Sequence, residues 1–61
     1  MNVGDVVRIK DVSTNKKEHR GLICLILEVE NILGDGLVCI IQTGTKRLRY
    51  HEVRLEKINV H

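Results

Sequence analysis

The chain has 61 residues, room for one domain (1–61) and no second. Ten Lys and Arg against eight Asp and Glu give a net charge of +2, short of the imbalance or clear stripe of a dedicated nucleic-acid binder. Tyr50 is the single aromatic residue, which excludes a polyproline groove lined by aromatics and a stacking platform for single-stranded nucleic acid.

Proline is absent, and short runs of Val, Ile and Leu alternate with Gly, Asn and Asp. That pattern predicts strands joined by turns. Gly4-Asp5 opens a first strand, Val6 to Lys10, with Val7 and Ile9 on one face and Arg8 and Lys10 on the other. Residues 11–20, DVSTNKKEHR, are polar without a period and predict a loop. Gly21 starts a second strand that runs to about Glu30. A helix over 22–30 is the alternative, but the β-branched content and flanking glycines favour the strand. NILGDG, 31–36, is a turn region, followed by a third strand, Leu37 to Gln42. TGT, 43–45, makes a tight hairpin into a fourth strand, Lys46 to Tyr50. Residues 51–54 predict one 3₁₀ turn, and Leu55 to Ile58 a last strand, with a frayed tail at 59–61. The expected fold is all-β: a small five-stranded SH3-like barrel, in which closing the sheet removes edges that invite aggregation.

Several function classes have no sequence support. There is no Ser-His-Asp set, no phosphate loop and no pair of carboxylates at a recognisable spacing. A core this small leaves little room for a deep substrate pocket. The reading is therefore of a non-enzymatic chain without cofactors. His19, His51 and His61 with Cys24 and Cys39 are the available metal donors, but no pair has the close spacing of a structural site. Asp5 and Asp35 read as turn residues. No apolar run approaches a membrane span, and no secretory segment is visible, so the expected setting is cytoplasmic with reduced cysteines, a Cys24–Cys39 bridge being the lesser alternative.

The stretch GLICLILEVE (21–30) is apolar at successive positions, so something must cover its second face. With Ile23, Leu25 and Leu27 inward, as a Gly-x-Val pattern implies, Leu22 and Cys24 point outward; a bulge would bring Ile26 inward. On the third strand Val38 and Ile40 are expected inward, and Leu37, Cys39 and Ile41 outward. Leu22, Cys24, Leu37, Cys39 and Ile41 then form an apolar face for self-association or a protein partner, with the charged loop 11–20 setting specificity. Cover by the loop, by Ile32 and Leu33 or by the tail is the structural alternative.

Two basic clusters form the second candidate site. Lys16, Lys17 and Arg20 lie in the first loop; Lys46, Arg47, Arg49 and Arg54 lie in the fourth strand and the turn after it. Phosphate contacts would use such residues. Glu18, Glu52 and Glu56 dilute their field, and charge on an edge strand also discourages aggregation.

VGDVVRI (3–9), GLICLI (21–26), GLVCIIQTGT (36–45) and YHEVRLEKI (50–58) resemble the short SH3-like barrels encoded by tailed phages, cyanophages among them. The resemblance spans nearly the whole chain, but its motifs are barrel-closing residues and carry no chemistry. It implies a virion component, an adaptor or a host-interaction factor, in the host cytoplasm or the virion. The chain departs from the pattern at Gln42, where such barrels often carry an aromatic. Gly4-Asp5-x-Val7-x-Ile9 followed by Gly21-x-Ile23 is also similar, more loosely, to KOW motifs, which contact nucleic acid through the first loop; here that loop lacks their further glycines.

Overall fold

The computed structural model describes residues 1–58. It is all-β, with five strands: β1 (Val6–Ile9), β2 (Ile23–Ile32), β3 (Gly36–Thr43), β4 (Lys46–His51) and β5 (Leu55–Lys57). Their order in one antiparallel sheet is β4-β3-β2-β1-β5. Residues 23–32 are strand, which removes the helical alternative. Strand ends fall within two residues of expectation. The predicted turn before β5 is a 3₁₀ turn at Glu52–Arg54, and an unexpected one sits in the first loop at Lys17–His19. The tail, His61 included, lies outside the described residues.

β2 contains a bulge that answers the question raised by its sequence. Ile26 pairs with Ile41, but Glu28 pairs with Ile40, so Leu27 is the extra residue. The inserted residue shifts the alternation by one position. Cys24 and Ile26 face inward before it and Val29 after it, while Glu28 and Glu30 are exposed. The predicted faces are therefore reversed. Val7 lies directly opposite Cys24, and residues opposite each other in an antiparallel pair share a face. Because Val7 and Ile9 are fully buried, Cys24 is drawn inward, leaving Ile23 53% and Leu25 43% exposed. Ile41 and Cys39 follow Ile26 and Val29, their partners across the ladder. Val38 and Ile40, expected inside, are only half-buried.

The core thus consists of Val7, Ile9, Cys24, Ile26, Cys39, Ile41, Tyr50 and Leu55. Full burial of an aliphatic side chain contributes about 1.5–3 kcal/mol, so the four Ile and Val side chains on β1, β2 and β3 carry much of the stability of so small a domain. Cys24, Cys39 and Ile41 belong to this core and are not surface residues, which corrects the proposed apolar interface. Leu22 is half-buried and packs against the core, and Leu37 is half-buried.

The sheet is not closed into a barrel. β4 and β5 are its two edges, and the three-residue 3₁₀ turn links the end of one to the start of the other. Four residue steps span at most about 14 Å, so the sheet must curl to bring those ends together. The first loop crosses the remaining seam. Lys10 N–H and Asn15 Nδ2 both donate to Arg54 O, at 3.0 and 3.3 Å, and Asn15 Nδ2 also donates to Lys10 O at 2.9 Å. The Lys10 bond extends the β1–β5 ladder by one step, and the Asn15 side chain ties the first loop to the turn before β5. At the other hairpin, Gly44 has φ +57° and Thr45 a negative φ, as a two-residue type II′ turn requires.

Candidate functional site

The seam brings together residues far apart in sequence. Tyr50 faces inward from β4 and is 8% exposed. Its hydroxyl shares a 2.7 Å hydrogen bond with His19 Nδ1, and the two rings meet edge to face at 6.0 Å. Burial pushes the Tyr50 phenol above its ordinary value, with the nearby Arg54 charge acting in the opposite direction. This pair pins the first loop onto β4. The aromatic ring is occupied by the fold and offers no free face for a base or a proline.

Two shallow grooves flank Tyr50 and share Arg49, Tyr50 and Arg54. The smaller, of about 250 Å³, adds Lys16, His19 and Thr14 from the first loop. The larger, of about 750 Å³, adds Asp35, His51, Val38 and Val53. Lys16, Arg49 and Arg54 therefore come from both predicted basic clusters and meet on one surface. Arg49 extends outward and pairs with Glu30 at 3.6 Å, both side chains being largely exposed. Such a pair is worth at most about 1 kcal/mol and yields readily to a competing anion.

The other basic residues are placed differently. Arg20 is committed to the loop, donating from Nε to Asn15 O at 3.1 Å and from Nη2 to Ser13 O at 3.4 Å. Lys17 is exposed within the 3₁₀ turn, and Lys46 and Arg47 are exposed at the far end of β4. A hydrogen bond from its own amide, and after it the Lys16 and Lys46 charges, hold the Glu18 carboxyl below its ordinary value, against a small desolvation cost.

His51 closes the larger groove at the end of β4. Its Nδ1 accepts from Val53 N–H at 3.2 Å, capping the 3₁₀ turn. Its Nε2 faces the carbonyl of Asp35, so Nε2 carries the proton. The remaining polar anchor, Asn15, had no sequence signal: an asparagine inside a polar loop looks like a solvated one, yet it is 3% exposed.

The cysteines are free and buried, and burial raises both thiols above their ordinary value, the reverse of an activated nucleophile. Among the described residues no three His, Cys, Asp or Glu side chains gather as a metal site, and no helix is long and apolar enough to cross a membrane. No protein-family model, curated protein or solved structure matches the chain.

Proposed function

We propose that the chain is a non-enzymatic interaction module, an SH3-like fold with an open seam, whose working surface is the basic groove around Tyr50. Its partner is the phosphate backbone of a nucleic acid. The observation that carries this reading is the convergence of Lys16, Arg49 and Arg54, from two separate basic clusters, on adjoining grooves. Lys and Arg at such a surface neutralise phosphates and release counterions. With no free aromatic face, binding rests on backbone charge and is independent of base sequence. The five-strand order, with β5 returning beside β1, supports the SH3-like part of the reading. The phage-type origin rests on the sequence resemblance alone. Association through Leu22, Cys24, Leu37, Cys39 and Ile41 loses its basis, since three of the five are core.

The test is fluorescence anisotropy with a labelled duplex over a salt series. Three phosphate contacts give a slope of log affinity against log salt of about −3. Lys16→Ala, Arg49→Ala and Arg54→Ala each weaken binding and reduce the slope by about one. No affinity at low salt, or affinity indifferent to all three variants, would sink the reading.

A further inference from the structure

The two grooves beside Tyr50 differ in the charges that line them. Lys16, Arg49 and Arg54 bring three fixed positive charges to the smaller one, His19 adds an imidazole and Thr14 a hydroxyl. Among the described residues no carboxylate lines it, whereas Asp35 lines the larger groove. Glu18 lies outside the lining, although its charge reaches Tyr50, and Glu30 holds Arg49 only through the exposed pair at 3.6 Å. The smaller groove runs between the first loop and β4, and the 2.7 Å bond of His19 Nδ1 with the Tyr50 hydroxyl joins those two walls. With the phenol donating, the imidazole proton sits on Nε2 and is free to meet an acceptor. The space of about 250 Å³ is smaller than the roughly 300–1,000 Å³ of sites that enclose a whole drug-sized ligand. It suits one small, strongly charged group.

We infer that this groove seats the terminal phosphate monoester of a nucleic-acid strand. The inference rests on the nucleic-acid reading and narrows it from the backbone to the strand end. Charge is the first argument for the end. A phosphate monoester carries about −1.5 to −2 at pH 7 and three acceptor oxygens, where a backbone diester carries a single charge. Arginine forks meet such oxygens two at a time. Access is the second argument. A diester inside a strand must leave its site on both sides, but the joined walls block this groove at the His19–Tyr50 end. A terminal phosphate needs only one way out. The diesters that follow it then run past Arg49 and Arg54, which the two grooves share, and the first of them displaces Glu30 from Arg49.

The test uses one oligonucleotide, labelled on an internal base, in three forms: 5′-phosphate, 3′-phosphate and hydroxyl at both ends. Anisotropy at constant ionic strength gives the affinity of each. One phosphorylated form is expected to bind at least about tenfold more tightly than the hydroxyl form, since even one charge-assisted hydrogen bond corresponds to that factor. Lys16→Ala and Thr14→Val bring the ratio towards one, and both side chains are exposed, so the fold is kept. Arg47→Ala, outside both grooves, leaves the ratio unchanged. Inorganic phosphate alone, titrated against chloride at matched ionic strength, should shift the proton–nitrogen NMR signals of Thr14, Lys16 and Arg54 ahead of the rest. Equal affinity for the three forms would overturn the inference and leave the nucleic-acid reading standing. No affinity for any form would remove that reading and this inference with it. Phosphate that shifts no signal in the groove would overturn the site itself.

Discussion

The amide of Leu37 donates a 2.6 Å hydrogen bond to Glu52 Oε2, so the start of β3 is tied to the 3₁₀ turn that follows β4. The last pair of the β3–β4 ladder is Val38 with His51, which leaves the Leu37 amide beyond the end of its neighbour strand. A carboxylate from the next residue of the chain takes the place of the missing backbone carbonyl. Gly36 permits the approach, because a Cβ there would lie 3.0 Å from the same oxygen. Glu52→Ala should therefore cost about 1–2 kcal/mol, and lower the melting temperature by roughly 4–8 °C for each of those kcal/mol. Glu52→Gln keeps an acceptor and should cost less. Thermal unfolding followed by circular dichroism ranks the two variants, and equal losses would contradict this account.

Asn15 ties the first loop to the end of β1 and to the turn before β5. Its amide nitrogen faces two backbone carbonyls, Lys10 O and Arg54 O, while its Oδ1 has no partner among the described residues. Asn15→Ala should destabilise by about 1–3 kcal/mol, because a buried carbonyl loses its donor. Asn15→Asp should be worse, since it removes both donated bonds and introduces a buried charge. Urea unfolding midpoints measure the order, and a neutral Asn15→Ala would show that the loop holds without this bridge.

The register of β2 and β3 can be read out by charge insertion. Ile41→Asp places a carboxylate in the core and should leave the chain unfolded, whereas Leu25→Asp, on the outer face, should give folded protein. Amide dispersion in a proton–nitrogen NMR spectrum distinguishes the two. Folded Ile41→Asp protein would restore the opposite facing of the strands.

Stability should fall at both ends of the pH scale, for opposite reasons. The Asn2 amide, at 2.9 Å, and the Lys57 ammonium, at 3.6 Å, hold the Asp5 carboxyl below its ordinary value of 3.8. A depressed carboxyl contributes stability above its unfolded value, which is lost as pH falls through the folded one. The acid limb therefore lies below about pH 4 and flattens in Asp5→Asn. Burial raises Cys24, Cys39 and Tyr50 above ordinary values of 9.0 and 10.0. Acids raised by folding contribute stability below their unfolded values and lose it as pH climbs through the folded ones. Under reducing conditions a loss should begin near pH 9, and a Cys24→Ala, Cys39→Ala double variant should delay it to the range where Tyr50 ionises. Denaturant midpoints from pH 3 to pH 11 trace both limbs.

The five strands, the two hairpins and the turn before β5 were legible in the chain, because Gly4-Asp5, Gly21, Gly34-Asp35-Gly36 and Gly44 mark the points where strands start or reverse, and β-branched runs fill the intervals. The basic residues of the candidate site were legible as charges. Which face of GLICLILEVE is buried was not, since an apolar run without alternation fits either facing; pairing of Cys24 with Val7 and the bulge at Leu27 decided it. Nor could the local pattern show that Lys16, His19 and Asn15 would meet Tyr50, Arg49 and Arg54. Those contacts exist because β5 returns beside β1, curling the sheet until its edges face one another and the first loop spans the seam. Local chemistry sets where a chain turns and extends, whereas the meeting of distant side chains follows from strand order and register, which only the packed sheet determines.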